Sequence, residues 1–461
     1  SEAAGLFTIG TLLPEAKRAQ VWRKTGSRAL SALSRELIYE DGASCQHSWN
    51  YHRLMLQCLM WAIRVGEVSQ QPLDTRILKS IRLGGELLHQ MMDLKSGGVP
   101  CYGQNDGSLF LSLNDCGYFV YRPVVQAASV VAGAGRLLPA GPWDEDLHWL
   151  FSGEVPQRRC EEPTRSAKQS PVGGYVVLRS AEGFLTSRAA KFRHRPAQAD
   201  MLHVDIWWKG RNVAIDPGTY SYNAPPPWNN PFADTAHHNT VMVDGLDQMT
   251  RISRFVWVPF LSSRSAGPVE CSSTSLAFWQ GEHDGYQRLS SPVRYRRAII
   301  RLPDEQWLVL DHMTSTGPHT YRLHWLFADC PFAWSDEAAE LTLQFSDGNY
   351  QVQFGTPNAD VSYSLVRGDE SAPRGWRARG YQNRIPAISL AAHAETDACT
   401  LWSLLGPKIG ERQLVTTSKG GCSVKSSRWQ ASIEPASDEG DVLVNRVKIS
   451  GEQTASMEIS S

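Results

Sequence analysis

The chain has 461 residues, which is too long for one ordinary hydrophobic core and predicts two or three domains. Its 42% hydrophobic and 20% charged residues are typical of a soluble globular protein, and its formal charge of -1 argues against a general attraction to nucleic acid or to an anionic membrane. The nine cysteines are scattered without a CxxC pair, so neither a disulfide framework nor a zinc–cysteine site is indicated.

Targeting signals are absent from the sequence as it stands. No apolar run reaches the length of roughly 18 residues that a membrane-spanning helix needs, and the N-terminus lacks the basic start and cleavage site of a signal peptide. We expect no membrane span, and we expect a periplasmic or secreted location in preference to the cytoplasm.

Residues 1–155 have the pattern of a helical domain. Apolar residues at helical spacing predict helices that begin at Pro14-Glu15, near Trp49, and at 74–94, 119–132 and 144–151. Antiparallel helix pairs joined by loops with aromatic and polar residues indicate an α/α-bundle or an incomplete α/α-toroid.

The texture of the sequence changes after a polar, Pro-containing segment, residues 156–171, which we interpret as a linker. Short alternating runs then follow one another without intervening helices, and they predict a large antiparallel β-sandwich over residues 172–461. The clearest runs are 175–178, 298–302, 307–310, 321–327 and 341–345.

Polar residues concentrate between His194 and Asp247. The run 202–208, a Lys209-Gly210 turn and the run 212–215 predict a β-hairpin that Asp216-Pro217-Gly218 closes, and the run 236–241 predicts a further strand. Carboxylates and imidazoles at strand ends indicate a site, which we expect to hold a metal. The sixteen Trp and fourteen Tyr suit either stacking on sugar rings or a sandwich core, and of the adjacent Trp207 and Trp208 a strand leaves at most one free.

Several fragments, in this order and spacing, resemble the heparinase II/III-like family of polysaccharide lyases. They are residues 3–7, 41–42 and 46–53 in the helical half, and 210–212, 216–220 and 238–240 in the β half. The resemblance covers nearly the whole chain. It implies an α+β multidomain fold, an α/α-toroid (here incomplete) followed by a large antiparallel β-sandwich. It also implies β-elimination at a uronic acid of an acidic polysaccharide, in which a tyrosine or histidine moves the protons.

The resemblance also implies roles for individual residues. Tyr51 matches the family's acid and base, with Asn50 beside it as a second catalytic candidate; the alternative for Tyr51 is a core aromatic. His52 is a candidate for substrate binding or for packing, because adjacent helical residues point about 100° apart. Asn105, in the loop 103–107, either lines the cleft or belongs to a simple turn. The further substrate-binding candidates are Arg211, Tyr220 and Trp228.

For the β-sandwich the resemblance implies zinc or another divalent cation held by two histidines and an aspartate. Asp216 and His238 match two of these ligands, whereas Gln198 replaces the metal-binding histidine and Pro196 replaces a catalytic one. A glutamine amide is a poor zinc ligand and a proline is none. His203 could take over as the catalytic histidine. Alternatively, Asp216 caps the turn that follows it and His238 packs beneath it.

The expected partner is an acidic polysaccharide or oligosaccharide, with no nucleic acid. Family members carry a further helical segment before the position of Ala3, so we expect either a homodimer or association with a separate N-terminal segment. Pro196 and Gln198 motivate a second hypothesis, a catalytically reduced glycan-binding or polysaccharide-processing module. A third is a hydrolase built on Asp200, Asp205 and Asp216. Sulfate recognition would need clustered arginines, and the candidates are Arg193, Arg195, Arg211, Arg251 and Arg254.

Overall fold

The computed structural model describes residues 1–271, 275–417, 421–436, 440, 442–452 and 454–459. These form two compact units. The helical unit comprises Ser1–Arg165 with Ser170–Gly173 and Arg193–Ala197, and the sheet unit comprises Ser166–Gln169, Gly174–Phe192 and Gln198–Ser461. The predicted order, helices first and an antiparallel sheet afterwards, is confirmed. Among the described residues no helix is long and apolar enough to cross a bilayer.

The helical unit contains six α-helices: α1 Glu2–Leu12, α2 Ala19–Leu37, α3 Trp49–Val68, α4 Arg76–Met91, α5 Arg122–Val131 and α6 Glu145–Leu150, with a 3₁₀ turn at Pro142–Asp144. Each predicted helix is present with its ends moved by a few residues. The largest shift is at α2, because the residues after Pro14 form turns and the helix begins only at Ala19.

Helix α1 was not predicted, and its sequence explains why. Phe7 is buried while Leu6, Ile9 and Leu12 are exposed, so apolar residues surround the helix and no amphipathic stripe is visible. Its contact with α2 is close: a Cβ on Gly26 would lie 2.5 Å from the backbone nitrogen of Phe7. Only glycine allows the two backbones to approach so nearly.

The described residues of the sheet unit form twenty-four strands. They are β1 Lys168–Gln169, β2 Tyr175–Arg179, β3 Gly183–Arg188, β4 Val204–Trp208, β5 Arg211–Ala214, β6 Val241–Val243, β7 Thr250–Ser253, β8 Val256–Val258, β9 Ser263–Glu270, β10 Ala277–His283, β11 Arg294–Leu302, β12 Gln306–Phe327, β13 Phe332–Ser335, β14 Glu340–Phe345, β15 Gly348–Gly355, β16 Ser362–Arg367, β17 Trp376–Ala378, β18 Arg384–Pro386, β19 Ile388–Pro407, β20 Arg412–Thr416, β21 Cys422–Ser426, β22 Trp429–Pro435, β23 Val444–Gly451 and β24 Ala455–Glu458. The predicted runs lie in β2, β11, β12 and β14, and two of them, 307–310 and 321–327, are parts of the single strand β12.

A fifteen-stranded sheet is organised around β12 and β19, which pair with each other along most of their lengths. The order β1-β2-β3-β4-β5-β12-β19-β15-β14-β13 forms its main path, with β6, β9, β10, β11 and β16 off that path. The predicted hairpin is confirmed as β4 paired with β5. The strand predicted over 236–241 is wrong at its start, because Thr235–His237 forms a 3₁₀ turn and only Val241–Val243 is extended.

Two hydrophobic cores lie on opposite faces of β12 and β19. Val309 of β12 and Leu401 of β19 point into the larger core, which also contains one face of β4, including Ile206. The intervening Leu310 and Trp402 point into the second core, which β21, β22 and β23 of the five-stranded sheet β20–β24 complete. The period of two along a strand thus places neighbouring residues in different cores.

The adjacent tryptophans of β4 are both buried, Trp207 at 7% and Trp208 at 4% exposure. Trp207 stacks on Phe184 with ring centroids 5.9 Å apart, and Trp208 packs on Tyr350 at 5.6 Å. Neither is free to contact a ligand.

A buried ion pair joins β11 to β12. The Arg297 guanidinium donates to both carboxylate oxygens of Asp311, at 2.7 and 3.0 Å, and both side chains are inaccessible to solvent. Its remaining nitrogen donates to the carbonyl oxygens of Leu202 and Asn239. Every group that Arg297 reaches accepts a hydrogen bond, as a buried charge requires.

We expect Asp311→Ala to lower the free energy of unfolding of the sheet unit by about 3–5 kcal/mol, because it leaves Arg297 buried without its counter-ion. Asp329→Ala is the matched control. It breaks the pair with Arg367, whose side chain is 48% exposed, and such pairs contribute about 1 kcal/mol or less. Urea unfolding followed by tryptophan fluorescence measures both; equal losses in the two variants would contradict this account.

Candidate functional site

Tyr51 lies in the first turn of α3, and that turn is fixed from two sides. The Ser48 hydroxyl accepts a hydrogen bond from the Tyr51 backbone N–H at 3.1 Å, as an N-cap does, and donates to the Gln104 carbonyl at 2.6 Å. Gly103 makes this contact sterically possible: its φ is +78°, and a Cβ there would lie 2.3 Å from the His47 carbonyl oxygen. The loop 103–107 is therefore attached to the start of the helix.

The Tyr51 hydroxyl donates a 2.6 Å hydrogen bond to Asp106 in this loop. The same carboxylate accepts bonds from the backbone N–H and the hydroxyl of Ser108. Burial, together with the hydrogen bond to Asp106 and its charge, raises the pKa of Tyr51 to about 12, against a smaller lowering by Arg195. The side chain is half-buried, and Tyr51 is held as a phenol at ordinary pH.

Asn50 and Asn105, predicted as catalytic and substrate-binding residues, both lie against the hydroxyl of Tyr118. Arg53 donates to the Asn50 side chain at 2.9 Å, and its guanidinium stacks between the rings of Tyr118 and Tyr121 at 4.3 and 4.6 Å. A hydroxyl donates one proton only, so one of the two asparagines faces Tyr118 through its NH2 group. Both asparagines are buried, which supports a role in positioning the residues around Tyr51.

His52 points away from Tyr51. It is inaccessible to solvent, donates from Nε2 to the Gly84 carbonyl of α4 at 2.9 Å, and lies edge-on against Trp49. Burial lowers its pKa to about 4, so the ring is neutral at physiological pH. In place of the substrate contact expected from the sequence, these contacts support a packing role.

In the sheet unit, three predicted residues meet: His203, Asp216 and His238 offer ligand atoms that all lie within 4.8 Å of one another. Asp216 Oδ2 is 3.2 Å from His238 Nδ1 and 3.8 Å from His203 Nε2, and its other oxygen accepts the Gly218 N–H at 2.8 Å. All three side chains are inaccessible to solvent. The Asp216 carboxylate raises the pKa of His238 against the lowering caused by burial.

The distances suit a divalent cation, but the hydrogen bonding of His203 does not. Its Nδ1 accepts the backbone N–H of Asn239 at 2.9 Å, so the neutral ring carries its proton on Nε2, the nitrogen that faces Asp216. A metal needs the lone pair of that nitrogen. Burial and the charges of His238, Arg297 and Arg188 also lower the pKa of His203 well below its usual value, and the same cations oppose a dication. The three side chains therefore form a buried His–Asp–His group whose spacing suits a cation, and His203 joins a metal only if it gives up the hydrogen bond from Asn239.

Gln198, predicted as a weak metal ligand, is buried, and so is Pro196. Asp200, which follows, forms a buried ion pair with Arg188. Asp205 is equally buried, accepts from Asn212 at 2.7 Å, and has its pKa raised to about 8 by burial and by Asp216. Carboxyl groups enclosed in this way cannot flank a glycosidic bond, and they give no support to a hydrolase.

Tyr220 and Trp228 lie together, 5.6 Å apart, in an aromatic cluster completed by Trp376. Arg384 was not predicted as a site residue, and its guanidinium lies 3.5 Å from the Trp228 ring centroid and 4.6 Å from that of Trp376. Arg211 is not part of this group: it follows the turn of the hairpin and pairs with Asp347 at 3.2 Å.

Two models of one known protein family match this chain. The profile of the heparinase II/III-like C-terminal domain matches residues 162–422, and that of the heparinase II/III N-terminus matches residues 1–75. A heparin-sulfate lyase from Bacteroides stercoris is 22% identical over 421 residues, which are 86% of this chain and 54% of that protein. The chain thus spans about half the length of this relative.

Solved structures agree with the fold. A heparinase III superposes with a TM-score of 0.72 at 16% identity, over 99% of this chain and 65% of that one. The heparan sulfate lyase HepC from Pedobacter heparinus gives 0.68 at 17% identity, over 100% and 66% of the two chains. At these identities the likeness concerns the fold, and it confirms the predicted class: an α/α-toroid domain followed by a large antiparallel β-sandwich.

We expect Asp106→Asn to lower the pKa of Tyr51 by about one unit, because the carboxylate that stabilises the phenol by its charge is removed. Alkaline titration of tyrosinate absorbance measures this, with the Tyr51→Phe curve subtracted to isolate the single group. Asp115→Asn, at an exposed acid of the same loop region, is the control and should change nothing. An unchanged or raised pKa in Asp106→Asn would show that Asp106 does not hold the phenol.

For the His–Asp–His group we expect zinc well below one equivalent after dialysis. Gln198→His should raise the zinc content, since it supplies a histidine at the position where the family resemblance implies one. Elemental analysis of both proteins, with unfolding temperatures in zinc and in chelator, decides. A full equivalent of zinc in the unaltered chain would mean that His203 binds after losing its bond to Asn239.

Proposed function

The chain belongs to the heparinase II/III-like family, and on that premise we propose that it is a polysaccharide lyase that cleaves a uronic-acid-containing acidic polysaccharide by β-elimination. The matched profiles and the heparin-sulfate lyase relative support the reaction class. A sulfated uronate glycan such as those named for the relatives is the substrate class to test first.

The observation that carries the proposal is the Tyr51–Asp106 pair. Asp106 can accept the phenol proton over 2.6 Å, and the phenolate so formed takes the C5 proton of the uronate. The bond between C4 and the glycosidic oxygen then breaks, Tyr51 gives the proton taken from C5 to the leaving oxygen, and Asp106 returns the phenol proton to Tyr51. The raised pKa that makes the phenolate costly to form also makes it a strong base for a carbon acid.

Asn50 and His203 receive other roles in this proposal. Asn50 is a positioning residue, because it touches Arg53 and Tyr118 inside the helical unit. His203 is a positioning residue of the sheet unit, since its ring is buried between Asp216 and the Asn239 backbone. The His–Asp–His group keeps the segment after β5 in place and takes no part in proton transfer.

A second candidate function is glycan binding with reduced or no catalysis. One observation favours it: Tyr220, Trp228 and Arg384 form a half-buried aromatic cluster around a cation, a combination suited to the rings and charges of an acidic glycan. The two functions differ in the role of Tyr51: the lyase needs it for turnover, whereas glycan binding does not depend on it.

We expect Tyr51→Phe to reduce eliminase activity by at least about a thousandfold, because general acid–base catalysis contributes roughly 10²–10⁴ at each step. Ultraviolet absorbance of the unsaturated uronate is followed with a panel of acidic polysaccharides, and glycan affinity is measured alongside. Tyr363→Phe, at a half-buried tyrosine of the sheet unit, is the matched control.

Three outcomes are informative. A rise with one glycan that disappears only in Tyr51→Phe supports the lyase. A rise that persists in Tyr51→Phe rejects the role given to Tyr51. Affinity without any rise, unchanged in Tyr51→Phe, supports the binding function.

A further inference from the structure

Two arginines of the sheet unit have no carboxylate partner. Arg322 of β12 donates to the Ala236 carbonyl at 2.8 Å, and Arg374 donates to Ser389 Oγ at 2.9 Å and to the carbonyl and hydroxyl of Ser364 at 2.7 and 3.0 Å. Within the described part of the chain neither forms an ion pair. A guanidinium has five N–H donors, so both retain donors that no protein group uses.

The two arginines act on the same three histidines. Burial first, and then the charges of both Arg322 and Arg374, lower the pKa values of His237, His324 and His393. The histidines are therefore neutral at physiological pH and add hydrogen-bonding groups without adding charge. His393 bonds Ser364 Oγ at 3.1 Å, and His324 bonds Ser389 Oγ at 2.8 Å.

The neighbouring acids do not neutralise this pair of charges. Burial and repulsion from Arg374 lower the pKa of Arg322 to about 10, with no carboxylate acting against them. Asp369 acts on Arg374 from an exposed turn, where it accepts two hydrogen bonds from Ser371. Burying cationic side chains without counter-ions is costly, and a bound anion removes that cost.

The Arg322 side of the site is open to a cavity, and Arg374, which does not line that cavity, is connected to it through the Ser364 hydroxyl, which contacts both Arg374 and His393. Arg322 and His393 line a cavity of about 640 Å³ together with Tyr321, Ser362, Asp360 and Glu395. They face the same side of the sheet because Arg322 of β12 and Ser362 of β16 both pair with His393 of β19. The volume is within the roughly 300–1,000 Å³ of ordinary ligand pockets.

We propose that Arg322 and Arg374 form an anion-binding site that takes a carboxylate or sulfate group of an acidic saccharide. Planar guanidinium groups suit both oxyanions, since each presents paired N–H donors to paired oxygens. The neutral histidines and the serines hold the arginines in place. The identity of the ligand as a saccharide rests on the proposed function, whereas the anion site itself does not.

Inorganic sulfate tests the site without any turnover. We expect sodium sulfate, compared with sodium chloride at equal ionic strength, to raise the unfolding temperature of the unaltered protein. Arg322→Gln and Arg374→Gln should weaken the apparent sulfate affinity about tenfold or more. Arg322→Lys, which keeps the charge but loses the paired donors, should lie between. Arg367→Gln is the control, because that arginine already pairs with Asp329.

The source of the anion is decided by modified oligosaccharides of one length: an intact sulfated uronate, its desulfated form and its carboxyl-reduced form. The modification that removes the bound group should lower affinity in the unaltered protein and have no further effect in Arg322→Gln. Equal sulfate affinity in all arginine variants would overturn the proposal. A protein that binds sulfate through Arg322 yet never yields unsaturated product would reject the lyase and keep the site.

Discussion

The hydrogen bonds of the buried Arg297 guanidinium are the interactions on which the arrangement of the sheet unit depends. One side chain of β11 satisfies Asp311 on the neighbouring strand and also reaches the carbonyls of Leu202 and Asn239, which belong to segments far apart in sequence. Asn239 in turn donates its backbone N–H to His203 and its side-chain amide to the carbonyls of Val204 and Ile215. The orientation of the His–Asp–His group is thus a consequence of how a buried charge is satisfied.

The two candidate sites differ in how deeply their side chains are buried. In the helical unit the Tyr51 hydroxyl donates to Asp106 from a side chain that is only half-buried. In the sheet unit all three side chains of the His–Asp–His group are inaccessible to solvent. His203 and Asp216 each accept one hydrogen bond from a backbone N–H, that of Asn239 and that of Gly218.

Much of the fold could be predicted because the two periodicities are plain in the sequence. The hairpin of β4 and β5, the helices α3 to α6 and the runs within β12 all follow from spacing and turn residues. What failed did so for physical reasons. Helix α1 is apolar on all sides, and the polar run after Thr235 forms a 3₁₀ turn because tertiary contacts outweigh its alternation.

The candidate site was less predictable, since partners in tertiary structure leave no local pattern. Tyr51, Asp216 and His238 were found through a resemblance, yet nothing in the sequence pairs Tyr51 with Asp106 or sets Arg384 among Tyr220 and Trp228. Two of the five arginines picked out near the site are in ion pairs: Arg211 pairs with Asp347, and Arg251 with Asp234. Arg322 and Arg374, which form no ion pair within the described residues, are separated in sequence by the four strands β13 to β16.

Strands β12 and β19 supply alternate residues to two cores, and this has a consequence for how the chain could be divided. The five-stranded sheet β20–β24 covers the face of these strands that carries Leu310 and Trp402. A fragment ending after Pro407 would expose that whole face to water, and a fragment beginning there would have no surface to fold upon. The sheet β20–β24 therefore shares a hydrophobic core with β12 and β19 and is not a separate domain. Gene fusions or domain exchanges in such a protein should join before β2 and never between β19 and β20.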